Sequence, residues 1–217
     1  MKYDESLETR VIQNLDFARA NMKANIYDQA VLEGVATSFP QTKDIIENRT
    51  VNGMTATDIQ KILNLKHAWE FILDRDVIQA KSDYYLLCHV AKLVNEGFFT
   101  DGGRIRGVPV TIGGCSYKPP IPIESIVKER IDEILYSGQN PIDIAIELCM
   151  YSMKTQAFLD GNKRPSRTAF CFIFRRAYSP ALSANDVMPD ISMLLNEKEL
   201  IRSSIFAKKP SNTELLK

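Results

Sequence analysis

Apolar residues recur along most of this chain at the three- and four-residue spacing that lines one face of a helix. Leu7, Val11, Leu15, Ala18 and Met22 make one such stripe and predict a long N-terminal helix. Ile59, Ile62, Leu63, Trp69 and Ile72 make a second, and Thr57 with Gln60 three residues on reads as the capping box that opens it. A third helix carries Leu86, Val90 and Leu93, with Ser82 as its candidate N-cap and Gly97 as its stop. Asn140-Pro141 reads as the N-cap and first helical position of a fourth. Its stretch from Ile142 to Met153 is apolar on nearly every side, which predicts a buried central helix.

One stretch breaks this pattern. Between Arg106 and Gly114 the residues Val108, Val110 and Ile112 alternate with period two and run into the turn signal Gly113-Gly114. They predict a short hairpin, which Pro109 confines to an edge. The expected class is all-α, a helical bundle carrying one short β-hairpin. No repeat, low-complexity tract or linker divides the chain. A single domain over residues 1–207 is expected, followed by a polar, flexible tail at 208–217.

Composition narrows the function classes. The 217 residues hold 27 Lys plus Arg and 27 Asp plus Glu, so zero net charge offers no global attraction to nucleic acid or to anionic membranes. A helix-turn-helix could be suggested by the stretch Thr57 to Asn64, but no basic patch accompanies it. Two histidines, His67 and His89, leave little room for a His-rich metal site. Cys88, Cys115, Cys149 and Cys171 form no Cys-x-x-Cys pair, and the apolar neighbours of Cys149 and Cys171 suit small core residues. With no apolar signal core in MKYDESLETR and no membrane-length run, a reduced, cytoplasmic protein is expected.

The chemistry concentrates in Gln156-Ala157-Phe158-Leu159-Asp160-Gly161-Asn162-Lys163-Arg164-Pro165-Ser166-Arg167, between two helical segments. Gly161 breaks the first and Asn162 suits the cap of the second. A helix start offers unpaired N–H groups and the positive end of the dipole, which together attract an anion. Arg164 and Arg167, three apart on the opening turns, can reach the same anion. Asp160, just before the loop, is a hard oxygen donor suited to an Mg2+ ion that bridges phosphates. The plain alternative is a common inter-helix turn followed by a solvated basic face.

This segment resembles the signature of the Fic proteins, His-x-Phe-x-[Asp/Glu]-Gly-Asn-Gly-Arg-x-x-Arg, at Phe158, Asp160, Gly161, Asn162, Arg164 and Arg167. Lys163 is similar to the Asn-Lys-Arg form of the related Doc toxins. Val31-Leu32-Glu33-Gly34 resembles the end of the family's inhibitory motif, and the hairpin with Ser116-Tyr117-Lys118-Pro119-Pro120 resembles its target-docking flap. The resemblance runs from about residue 25 to 180 in the family's order. It implies a Fic fold that binds ATP with Mg2+ and transfers AMP to a hydroxyl of a target protein.

The resemblance further implies roles for single residues. Asp160 would hold the metal. Gly161, Asn162 and Arg164 would form the anion hole, with Lys163 as an added cation, and Arg167 would meet the terminal phosphate. Phe158 would anchor the loop. Glu33, in an inhibitory helix near residues 26–35, would pair with Arg167 and displace that phosphate. Val110, Ile112, Gly113 and Gly114 would align the target segment on the flap. Gln156 stands where the family has its histidine, and a carboxamide cannot act as a general base near neutrality. Gln29 stands in the Ser/Thr place of the inhibitory motif, and Pro165 brings no N–H to the anion. Two functions are therefore expected to compete. One is a protein adenylyltransferase with a degenerate motif. The other is a catalytically impaired Fic-fold module that binds nucleotide or a partner protein as a regulator. The target and the oligomeric state are not written in the sequence.

Overall fold

The computed structural model describes residues 5–80, 82–111, 117–139 and 141–159, and among these it holds seven helices and no strand. In chain order they are α1 (Glu5–Leu32), α2 (Phe39–Ile46), α3 (Ala56–Ile72), α4 (Arg75–Gln79), α5 (Tyr84–Val94), α6 (Glu124–Leu135) and α7 (Pro141–Thr155). Helix α3 touches α1, α2, α4 and α5, while α6 joins α5 to α7.

The stripes explain that arrangement. On α1, Leu15 and Ala18 are buried, Met22 packs against the core, and Ile26 and Ala30 continue the same face. Leu7 and Val11 lie on this helix, with side chains outside the described residues. On α3, Ile62, Leu65, Ala68, Trp69 and Ile72 are buried along one face, and on α5 Leu87, Val90, Ala91 and Val94 meet them. Asn64, fully buried among these residues, donates from Nδ2 to the carbonyls of Val94 (3.1 Å) and Glu96 (2.7 Å). It thereby satisfies the last turn of α5, whose C-terminal carbonyls have no partner within the helix.

Several boundaries differ from the sequence expectation. Helix α3 starts at Thr55 rather than Thr57, because Thr55 Oγ1 accepts from the Asp58 N–H at 3.1 Å and donates to the Asp58 carboxylate at 2.9 Å. Gln60 turns instead to Asn64, 2.8 Å away. The N-cap of α5 is Asp83, whose carboxylate accepts from the Leu86 N–H at 2.9 Å, and Ser82 lies one residue too early. The capping box that the sequence does carry stands at Ser38 and Gln41, with Pro40 in the first turn of α2. Among the described residues of helix α7, Ala145, Leu148 and Ser152 are buried, while Met150 is exposed rather than covered as an all-round apolar pattern predicts. The stretch Thr57 to Asn64 opens α3, with Ile62 and Asn64 in the core.

Candidate functional site

The segment that carries the chemistry leaves α7 through Gln156. This residue takes a φ of +48°, in the left-handed region that few non-glycine residues enter. Its backbone N–H donates to the Ser152 carbonyl at 3.1 Å, and its Nε2 donates to the Met153 carbonyl at 2.6 Å. The carboxamide is folded back onto the end of its own helix, where it satisfies a terminal carbonyl. Ala157 and Phe158 then turn inward, each only 2% exposed, while Leu159 faces solvent. Burial of Phe158 fixes the start of the loop against the core. Asp160, Gly161, Asn162, Lys163, Arg164 and Arg167 lie outside the described residues, as does Cys171.

Beside this loop start lies a residue that sequence reading passed over. Arg106 is 2% exposed, and its guanidinium is ringed by main-chain carbonyls. Nε donates to Gln156 O at 2.6 Å, Nη1 to Val108 O at 2.7 Å and Nη2 to Pro120 O at 2.7 Å. Pro119 O and Thr155 O stand at 3.4 Å from Nη2. The Arg106 N–H donates to Ala157 O at 2.9 Å. Among the described residues no carboxylate pairs with this cation. Burial pushes its pKa below the ordinary arginine value, and arginine starts so high that the group stays charged at neutrality. One planar fork thus draws together both arms of the segment read as a flap and the end of α7. The available signal was the arginine itself, inside an apolar alternation with no acidic neighbour nearby in sequence.

The flap takes no strand among the described residues. Val108 and Pro109 are exposed, Val110 is half-buried, and Ile112, Gly113 and Gly114 lie outside the described residues. The returning arm exposes Tyr117, Ile121 and Ile123 on the way into α6.

Glu33 ends α1. The Gly34 N–H donates to Val31 O and the Val35 N–H to Ala30 O, both at 3.0 Å, and Gly34 has φ +78°. That pair of bonds is a Schellman end with Glu33 as the C-cap and Val35 buried beyond it. Gly34 therefore has a backbone reason of its own. A carboxylate at the C-cap faces the negative end of the helix dipole, which disfavours it unless a cation answers. Glu33 is half-buried, with Oε1 shielded from solvent, and Gln29 one turn earlier is buried. The segment that resembles the inhibitory motif is thus the close of one 28-residue helix.

The two histidines have partners of their own. His67 sits on α3 with Nδ1 3.8 Å from the Glu96 carboxylate, and His89 on α5 lies tilted against Phe71 at 4.5 Å between ring centres. Cys149 is half-buried beside Met153 rather than in the core. Burial pushes the Cys88 thiol up, leaving it a poor nucleophile at neutral pH. Among the described residues no group of His, Cys, Asp and Glu is placed to hold a metal ion, and no helix is long and apolar enough to cross a membrane.

Comparison with known proteins places the fold. No protein-family model matches the sequence, and no curated protein gives a significant match. Solved structures do match. A Fic family protein from Desulfovibrio desulfuricans G20 superposes with a TM-score of 0.64 at 17% identity, over 81% of this chain and 59% of its own. A Fic domain containing signaling protein from Bacteroides thetaiotaomicron VPI-5482 gives 0.64 at 16% identity, over 87% and 78%. Fic-1 from C. elegans gives 0.60 at 18% identity, over 79% and 57%. This chain therefore spans less than two thirds of the Desulfovibrio and C. elegans chains. At such identities the likeness speaks for architecture, and the architecture of this chain is the helical Fic fold.

Proposed function

We propose that this chain is a Fic-type nucleotide-binding protein that transfers AMP from ATP to a hydroxyl of a target protein, slowly and under restraint by Glu33. The observation that carries this reading is the loop start on a Fic fold: α7 closes at Gln156, and Phe158 seals into the core directly before Asp160-Gly161-Asn162-Lys163-Arg164. The donor set suits the ligand. One carboxylate is enough for an Mg2+ ion that keeps most of its waters and leans on phosphate oxygens, and the bound ion neutralises charge on those phosphates. Gly161, Asn162, Lys163 and Arg164 would hold the phosphates through N–H groups and cations, and Arg167 would take the terminal one. Glu33 would compete with that phosphate for the same guanidinium. Val110, Ile112, Gly113 and Gly114 would align an extended target segment by strand addition.

A second reading draws on Gln156. Its Nε2 is engaged by the Met153 carbonyl, and its amide has no proton-accepting pKa near neutrality. That favours a module which binds nucleotide, or a partner protein, and turns over little. Mass spectrometry after incubation with ATP and Mg2+ separates the two. The Gln156→His protein is expected to add AMP to itself or to a lysate target faster by ~10²–10⁴, the usual worth of a positioned base. Histidine tolerates left-handed φ better than most residues, so the backbone should accept it. Equal labelling by both proteins would remove the case built on the missing base. Absence of ATP binding by calorimetry, in the native chain and in Glu33→Gly alike, would sink the transfer reading and the nucleotide-binding form of the second.

A further inference from the structure

We propose that Arg106 is a positioning residue that registers the target-docking flap against the nucleotide loop. The inference rests on the transfer reading above for its purpose, and on geometry alone for its content. A buried cation normally demands a carboxylate, because desolvating a lone charge is costly. Arg106 meets carbonyls instead, and those carbonyls come from three separate stretches of chain. Val108 O belongs to the outgoing arm of the flap, Pro120 O to the returning arm, and Gln156 O to the exit of α7. The two arms have no strand pairing with each other among the described residues. Arg106 is thus the shared partner that holds them at a fixed spacing from each other and from the loop.

Two details suit this role better than simple core filling. The guanidinium is planar and presents donors on three edges, so moving any one carbonyl set breaks hydrogen bonds to the others. The Arg106 N–H to Ala157 O bond of 2.9 Å adds a main-chain tie between flap and loop that does not pass through the side chain. A change at the loop start would therefore be felt in the flap. Binding of nucleotide and alignment of a target would share one hinge point at Gln156, whose carbonyl accepts from Arg106 and whose side chain caps α7.

The test pairs Arg106→Lys with Arg106→Met. Lysine keeps the charge but has one nitrogen, which cannot reach both flap arms and Gln156 together. In hydrogen exchange, both variants are expected to speed exchange at least ~10-fold at the amides of residue 106, Thr155 and Gln156 as one group, with α3 and α5 unchanged. Acceleration confined to residue 106 would overturn the proposal. Should neither variant fold, the unmodified protein still decides. Titrated with low urea, the Arg106 and Gln156 amides are expected to exchange through one shared opening, and separate openings would refute the coupling. Kinetics in the Gln156→His background supply a readout that loss of packing alone would not produce. Arg106→Lys is expected to keep the KM for ATP within ~2-fold while kcat for transfer to protein falls at least ~10-fold, with Arg106→Met worse. Equal loss in both parameters would overturn it. If the Gln156→His protein transfers nothing, the transfer reading fails, while the exchange experiment still rules on Arg106.

Discussion

Trp69 and Arg106 are both almost wholly shielded from water, yet they are held by opposite means. Trp69 sits where α3 meets its neighbours, among apolar side chains presented by regular helical faces, and its position follows from periodicity. Arg106 sits where irregular chain meets a helix end, and hydrogen bonds to carbonyls from distant parts of the sequence hold it there. The first kind of burial draws on non-directional hydrophobic gain and tolerates some repacking. The second is directional, and each lost donor orphans a carbonyl. The helical core sets the global stability of the domain, and on the proposal above the polar junction sets how the flap and the loop start face each other.

The largest expected effect breaks the apolar side of that contrast. Trp69→Ala should lower unfolding free energy by ~3–5 kcal/mol in urea titrations followed by circular dichroism, the usual cost of deleting a buried large aromatic. Trp69→Phe should cost far less, because it keeps most of the volume and removes an indole N–H that finds no partner among the described residues. If both substitutions were equally damaging, shape rather than burial would govern α3. On the polar side, Arg106→Met should cost ~1–3 kcal/mol globally, since the abandoned carbonyls lie on segments that can rehydrate. A loss as great as that of Trp69→Ala would merge the two regions into one cooperative core.

The end of α1 lies between these extremes. Gly34→Ala meets no steric neighbour, for nothing stands within 4 Å of the added Cβ, so its penalty is conformational only. Holding alanine at a φ of +78° should cost ~1–2 kcal/mol by denaturant titration. Gly34→Asn should recover most of this, since asparagine enters that region more readily. If the same Gly34→Ala change also raised AMP labelling in the Gln156→His background, the Schellman end and the restraint by Glu33 would be one device. Unchanged labelling would make Gly34 a cap and nothing more.

What the sequence made legible follows the same division. The α1, α3 and α5 stripes are legible because burial there repeats every three or four residues: Leu15, Ala18, Ile62, Trp69, Ile72 and Val90 lie inside, while Ile59, Leu63, Leu86 and Leu93 are only partly buried. On α7 the all-round apolar pattern marks the buried Ala145 and Leu148 together with the exposed Met150, since pattern alone does not say which residues neighbours cover. Phe158 was read as an anchor and is buried, yet that role came with the motif and not with periodicity. Arg106 stayed invisible because carbonyl acceptors are common to every residue and leave no mark in composition. The same blindness applies to Gln156, where the letter shows a missing base but not the turn back onto Met153.

Helix starts give the smallest and sharpest check, because two adjacent residues compete for one role. The cap expected for α5 from the sequence is Ser82, and Asp83 beside it belongs to a residue type that caps as well. Geometry selects Asp83, with φ −155° in the extended region and its carboxylate accepting from Leu86 N–H at 2.9 Å. An aspartate there also meets the positive end of the helix dipole, which a serine would answer only by its hydroxyl. Asp83→Ala should therefore cost ~1 kcal/mol, and Ser82→Ala should stay within ~0.5 kcal/mol, both by thermal or urea unfolding. The reverse ranking would move the start of α5 by one residue. A start at Ser82 would only lengthen the helix by one residue, since Leu87, Val90 and Val94 would keep the face they already turn to α3.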